Sequence, residues 1–199
     1  MMRERPFSAA CERNKAPILR ELQALLPMPA TVLEIGSGSG QHGVHFCSML
    51  ADLVWHASDR AENLEGIRAW VSQAALPNLK GPHRLDLMQD PWPDIPIDAV
   101  FSANTAHIMH WDAVERMFAG VGRQLSAGGL FLLYGPFSRH GRHNSDSNLA
   151  FHRQLQQQDP GMGLRDLDEL QALARSCDLA LLEVREMPAN NRLIVFRRF

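Results

Sequence analysis

The sequence predicts an α/β protein built on a mostly parallel sheet, and three observations carry that expectation. Short β-rich runs alternate with segments of helical periodicity along nearly the whole chain. The first such run, 31–35, ends on the glycine-rich turn Gly36-Ser37-Gly38-Ser39-Gly40, which leads straight into a helical segment. The last two β-rich runs have no helix between them, so the sheet is expected to close with an antiparallel hairpin.

Taken in order, apolar residues at helical spacing over 18–26 predict a helix that stops before Pro27 and Pro29. Residues 31–35 form the first strand, 41–50 a helix, 53–58 a second strand, and 63–75 a helix ended near Pro77. A weaker strand is expected at 83–87. Residues 99–103 form a strand of small and apolar residues. The helix at 113–125 is amphipathic and is closed by Ala127-Gly128-Gly129. Residues 130–134 make the most apolar strand. A helix at 167–176 and strands at 179–185 and 193–197 complete the pattern, with 186–192 as the hairpin link. Residues 136–164 are polar with little periodicity, and a loop of that length in a compact domain usually serves a function.

The bulk properties narrow the function classes. The 199 residues suit one domain, and 20 basic against 22 acidic residues leave a net charge of −2. No basic excess or polybasic run points to nucleic acid or to an anionic membrane. Three cysteines, Cys11, Cys47 and Cys177, lie far apart and form no CxxC, which fits a reducing compartment and no thiolate zinc site. No apolar run approaches the roughly 18 residues of a membrane span, and the first fifteen residues lack the apolar stretch of a secretory signal. The expected location is cytoplasmic, and the expected state is a monomer or homodimer.

The glycine turn carries the first functional signal. Strand, glycine-rich turn and helix together make a nucleotide-type site. Glycines allow close backbone approach, and the following helix points unpaired N–H groups at the ligand. A dinucleotide fingerprint requires Gly or Ala at position 41, where this chain has Gln41. The pattern is GxGxG on Gly36, Gly38 and Gly40, preceded by Glu34. Asp59 closes the second strand, where a carboxylate can accept ribose hydroxyls; alone it would equally serve as a helix cap. Asp86, in the third strand candidate, can accept an adenine amino group while the Leu87 N–H donates to the ring, or it is an exposed turn acid. The fourth strand ends in Asn104, beside the loop.

With these features in order, residues 30–135 resemble the class I S-adenosylmethionine-dependent methyltransferases. The blocks Glu12-Arg13-Asn14-Lys15, Asn104-Thr105-Ala106-His107-Ile108 with Trp111, Tyr134-Gly135-Pro136-Phe137 and Met187-Pro188-Ala189-Asn190-Asn191 resemble the poorly characterised group related to methyltransferase-like protein 26. The resemblance implies a Rossmann-like methyltransferase fold. Its sheet is seven-stranded and mostly parallel, with helices on both faces and a C-terminal antiparallel hairpin. It implies S-adenosyl-L-methionine as cofactor and S-adenosyl-L-homocysteine as product. The implied contacts are Glu34, the three glycines, Asp59, Asp86, Leu87 and Asn104, with Arg13 and Asn14 closing the cleft. The whole chain, 1–199, is then one methyltransferase domain. It comprises an N-terminal lid or helix (1–29), a cofactor-binding core (30–135), an acceptor lid (136–165) and a C-terminal helix with hairpin (166–199).

Methyl transfer from a sulfonium needs alignment in a dry pocket more than it needs a catalyst, so acceptor-side residues are harder to read. His107, just past the fourth strand, is a candidate general base, against the alternative of a histidine packed on the next helix. Tyr134, the only tyrosine, is a candidate pocket donor or a core ring. His110, Trp111, Phe137, Asn148, Arg165, Asn190 and Asn191 are the candidate acceptor contacts. The lid's basic residues, among them Arg139, Arg142 and Arg153, suit an anionic small molecule, or belong to a solvated loop. Histidines recur at HxxH spacing (42/45, 107/110, 140/143) without a completing cysteine or carboxylate, so no metal is expected. The leading expectation is a methyltransferase acting on the O, N or S atom of a small molecule, without nucleic-acid or membrane partners. A non-catalytic cofactor-binding scaffold is the alternative, and a nicotinamide enzyme is disfavoured by Gln41.

Overall fold

The computed structural model describes residues 5–199. Seven strands form one sheet: β1 (Ala30–Ile35), β2 (Leu53–Asp59), β3 (Leu79–Arg84), β4 (Ala99–Ala103), β5 (Leu130–Gly135), β6 (Leu179–Met187) and β7 (Asn191–Arg198). Their order is β3-β2-β1-β4-β5-β7-β6. β1 pairs parallel with β2, and β2 with β3, whereas β7 runs antiparallel to both β5 and β6. The sheet is thus mostly parallel with a C-terminal antiparallel hairpin, as the alternation of elements predicts. Six helices accompany it: α1 (Ala9–Leu25), α2 (Gln41–Met49), α3 (Leu64–Ala74), α4 (Trp111–Gln124), α5 (Asp146–Gln158) and α6 (Leu167–Ser176).

The chain divides within β4 into two compact units, one ending at Val100 and the other beginning at Phe101. In the first, the core gathers Val32, Leu33, Phe46, Trp55 and Ile67, all fully buried. Gly43 exists for this packing. A Cβ there would come within 2.8 Å of Trp55 Cδ1, so α2 sits too close to the Trp55 ring for any side chain. In the second unit, Phe118, Phe131 and Phe196 form a ring cluster with centroids 5.2–5.9 Å apart. Such ring pairs contribute about 0.5–1.5 kcal/mol each beyond the area they bury. All six residues of β5 are buried, which explains their unbroken apolar sequence.

Three elements depart from the sequence expectations. α1 begins nine residues earlier than its periodicity indicates, at a Ser8 cap whose side chain accepts from the Cys11 N–H. The helix continues through Pro17 and buries Ile18, Leu19 and Leu22. A proline costs one helical hydrogen bond, and here the packing beyond it outweighs that loss. β3 lies at Leu79–Arg84 rather than 83–87, and Leu79 pairs with Trp55. Gly81 and Pro82 hide this edge strand, and Asp86 falls in the turn after it. The expected loop at 136–164 contains α5, capped by Ser145 accepting from the Asn148 N–H. Its only fully buried side chains are Asn148 and Leu155, so it carries almost no apolar stripe to read. No helix among the described residues is long and apolar enough to cross a membrane.

Candidate functional site

In the first unit the glycine turn is fastened to the end of β2. The Ser37 N–H donates to Ser58 O (3.0 Å), and Ser37 Oγ accepts from the Ser58 N–H (3.1 Å). Gly38 stands at φ +58° with nothing within 4 Å of where a Cβ would be, so its backbone is bare and open to a ligand. Its N–H donates to Asp59 Oδ2 at 2.7 Å. Gly40 caps α2 at φ +87°, and a Cβ there would press on Ile67 Cγ2 at 3.2 Å. The other Asp59 oxygen accepts from the Arg60 N–H (2.8 Å) and Asn63 Nδ2 (2.9 Å). Asp59 is therefore a buried carboxylate with three donors, held against the turn at the carboxyl end of its strand.

Under the turn lies a buried polar network that the sequence does not announce. Glu34 accepts from Trp55 Nε1 at 2.9 Å, and its other oxygen lies 3.6 Å from His42 Nδ1. His42 Nε2 meets Asn14 Oδ1 at 2.8 Å, and Cys11 Sγ lies 3.8 Å from His42 Nδ1. Burial pushes the His42 pKa down, but the bonds to Cys11 and Glu34 outweigh it and raise it to about 9. The imidazolium is thus the charged form at neutral pH, and its Nε2–H donates to Asn14. Gln41, which breaks the dinucleotide fingerprint, has its own task. Its Oε1 accepts from Ser39 Oγ (2.9 Å) and from the Ser8 N–H (2.5 Å), tying the turn to the start of α1. Of the two α1 candidates, Asn14 faces inward onto His42 while Arg13 is exposed. Residues 5–8 run beside α3, where Trp70 Nε1 donates to Pro6 O at 2.7 Å and the Arg5 guanidinium sits 4.0 Å from the Trp70 ring centre. An open cleft of about 1380 Å³ lies between them and reaches Gly38, Ser39 and Asn63. Asp86 and Leu87 are half-buried in the turn after β3, where Asp86 Oδ1 accepts from the Met88 N–H (2.9 Å).

In the second unit a cluster forms where β4 and β5 end. Asn104 sits at φ +58° and donates its N–H to Tyr134 O (2.9 Å). A Cβ added at Gly135 would lie 3.8 Å from each of Asn104 Oδ1, His107 Nδ1 and Phe137 Cε2, so these groups border one small space. His107 is buried, with its ring edge-on to Phe151 at 5.2 Å. Burial, with the Arg165 charge added, pushes its pKa down to about 4, so the ring is neutral at physiological pH. Tyr134 and Phe137 are buried.

Arg165 acts here as a staple. Its guanidinium donates to Ala106 O and Gly161 O (2.9 Å each) and to Met109 O, and the Gly163 N–H donates to His107 O (2.9 Å). His110 is exposed and pairs with Asp159 at 2.8 Å, which raises its pKa. Trp111 Nε1 donates to Glu115 (3.0 Å). Asn148 Nδ2 donates to Asn144 Oδ1 (2.6 Å) and to Asn190 O (2.9 Å), fixing the start of α5 to the β6–β7 turn. Asn191 Nδ2 donates back to Pro188 O (3.0 Å) within that turn. The three HxxH pairs do not converge: His42 belongs to the buried network, His110 faces Asp159, and His140 faces Asp168 at 2.7 Å. Among the described residues no group of three or more His, Cys, Asp or Glu is placed to hold a metal ion.

Comparison with known proteins supplies the wider frame. The family model described as "Protein of unknown function (DUF938)" matches residues 5–198. Among solved structures, the mitomycin 7-O-methyltransferase MmcR is similar at a TM-score of 0.81 and 17% identity, over 96% of this chain and 55% of that one. An O-methyltransferase family 2 protein from Planctomyces limnophilus, in complex with apigenin, is similar at 0.80 and 18%, over 96% and 60%. Human N-acetylserotonin methyltransferase, in complex with SAM, is similar at 0.77 and 16%, over 95% and 52%. This chain thus spans little more than half the length of those proteins, with the same fold as the matched part.

Proposed function

The chain belongs to the DUF938 family, and we propose that this member is an S-adenosylmethionine-dependent methyltransferase acting on a small molecule. The observation that carries the reading is the contact of the Asp59 carboxylate with the Gly38 N–H. It brings a bare glycine turn and a fixed acid together at the carboxyl ends of two neighbouring parallel strands, where α/β folds bind nucleosides. The residues present fit such a ligand: Gly38 has no side chain to exclude it, and Asp59 Oδ2, which accepts only from the Gly38 N–H, retains a lone pair for a ribose hydroxyl. Gln41 in place of a third fingerprint glycine argues against a dinucleotide. The solved structures named above are methyltransferases, and the sequence blocks that resemble the group related to methyltransferase-like protein 26 are in keeping with the same activity.

In this reading the turn, Glu34, Asp59, Asp86 and Leu87 of the first unit serve the cofactor, and Asn104 is a further cofactor contact that the resemblance implies. Glu34 acts from beneath the turn, through His42 and Trp55, rather than from its surface. Asn14 acts through His42, and Arg13 from the exposed side of α1. When bound, S-adenosylmethionine supplies an electrophilic methyl group on a sulfonium. The protein's own tasks are then to orient the acceptor, keep water away and receive a proton where the nucleophile carries one. His107 is the group for the last task. At neutral pH its ring is neutral and its free nitrogen can accept a hydrogen bond from an acceptor hydroxyl; Tyr134, at the end of β5, meets this region through its carbonyl, which accepts from the Asn104 N–H. Phe137 supplies an apolar wall. Arg165 positions His107 by holding the carbonyl of Ala106, and Asn148, Asn190 and Asn191 shape the edge through the α5–hairpin contact. His110 and Trp111 lie at the start of α4, on the outer part of this region.

A transfer assay with methyl-labelled cofactor and a panel of phenols and small acids tests the reading. The wild type should label at least one acceptor. His107→Ala should lose tenfold or more of that turnover with cofactor affinity unchanged. Full turnover in His107→Ala would remove it from the mechanism, and no labelling of any acceptor by a cofactor-binding protein would favour the scaffold alternative.

A further inference from the structure

One cation of the second unit has no assigned task. Arg192 stands on β7 directly opposite Gly135 of β5 and Glu186 of β6. Directly paired residues of antiparallel strands share a face of the sheet, with Cα atoms about 4.5–5.5 Å apart. Arg192 therefore leaves the sheet on the face where Gly135 has no side chain, one strand away from the space bordered by Asn104, His107 and Phe137. Its side chain is only 13% exposed. Nε donates to Glu186 Oε1 at 2.8 Å, but Nη1 is buried with no hydrogen-bond partner among the described residues. Glu186 is itself 68% exposed, so its charge is largely met by water. Buried guanidinium N–H groups are rarely left without an acceptor, because nothing repays their lost hydration.

The segment leading into α5 is tied to the hairpin turn, with Asn144 Nδ2 donating to Asn190 O, two positions before Arg192. Phe137 and Phe151 supply flat apolar surface around His107.

Resting on the methyltransferase reading, we propose that Arg192 anchors the acceptor through a carboxylate, which makes the substrate class small organic acids with an unsaturated or aromatic body. A guanidinium matches a carboxylate in plane and in donor spacing, and Nη1 has no acceptor among the described residues. Gly135, without a side chain, does not fill the space that Asn104, His107 and Phe137 border, and the body of the acid would lie there. The anchored acid would then present its nucleophilic atom toward His107.

Calorimetric titration of the full chain with benzoate and with benzamide tests this, using wild type, Arg192→Gln and Arg192→Lys, with S-adenosylmethionine titrated in the same preparations. The wild type should bind the acid at least tenfold more tightly than the neutral amide. Arg192→Gln should erase that preference and leave cofactor affinity within about twofold, and Arg192→Lys, which keeps the charge and guards against a folding defect, should retain part of it. Equal preference in Arg192→Gln and wild type would overturn the proposal, as would a wild type that binds the two probes alike or binds neither. Failure of cofactor binding in the wild type would strike the methyltransferase reading alone, since the acid preference is measured without cofactor.

Discussion

Replacing Asp59 with alanine separates a cofactor contact from a mere loop staple. The carboxylate accepts from Gly38 N–H at 2.7 Å, Arg60 N–H at 2.8 Å and Asn63 Nδ2 at 2.9 Å, and the residue is 6% exposed. Hydrogen bonds to a charged group are worth about 1.5–3 kcal/mol each. Gly38 and Arg60 are exposed, so water can replace part of what they lose. The net destabilisation is therefore about 2–4 kcal/mol, which in a domain of this size lowers Tm by roughly 5–15 °C. Loss of a charged acceptor for a ribose hydroxyl should weaken S-adenosylmethionine binding by at least about tenfold, or about 1.4 kcal/mol. Differential scanning fluorimetry gives the first quantity, and calorimetric titration well below the lowered Tm gives the second. Asn63→Ala removes one supporting donor and leaves the carboxylate in place. It should cost about 1 kcal/mol and change affinity by less than about threefold. A folded Asp59→Ala protein with wild-type affinity would refute the ribose assignment and leave Asp59 as a staple of the turn.

Other consequences follow from the network under the turn. His42 titrates from 6.5 when unfolded to about 9 when folded. Its contribution to stability is complete below about pH 6.5 and is lost as pH rises through 9. Melting temperature should therefore fall between about pH 7 and 9.5, and His42→Asn should flatten that slope; an unchanged slope would show that the imidazolium is not the titrating group. Burial pushes the Cys11 thiol up, but the His42 hydrogen bond and charge bring it below its ordinary value, whereas burial pushes Cys47 up to about 12. Mass spectrometry after brief iodoacetamide treatment near neutral pH should find Cys11 modified before Cys47, and the reverse order would contradict the Cys11–His42 pairing.

The sequence displayed those features that depend on neighbours along the chain. β1, the glycine turn and α2 are contiguous, so apolar run, glycine spacing and helix start reveal them together. The apolar runs of β4 and β5 appear equally clearly. Asp59 was visible as an acid closing a strand, although its three donors were not. What stayed hidden depends on partners far apart or on weak patterns. Cys11, Asn14, Glu34, His42 and Trp55 meet only after folding, and the HxxH spacing of His42 and His45 carries no sign of that network. Pro17 masked the first half of α1, Gly81-Pro82 masked β3, and the polar surface of α5 masked a helix that only the Ser145 cap announces. Arg192 falls in the expected hairpin link, where a charge reads as solvent-facing, whereas the structure makes it the second residue of β7. Only the pairing with Gly135 and the unmatched Nη1 distinguish it.

The central claim is that the turn at Gly36–Gly40 binds an adenosyl cofactor rather than a dinucleotide. Calorimetric titration of the full chain with S-adenosylmethionine and S-adenosylhomocysteine, with NADH in parallel, tests it most directly. Both adenosyl ligands should bind at micromolar or tighter affinity and NADH not at all; binding of NADH instead, or of no ligand at all, would contradict the cofactor assignment.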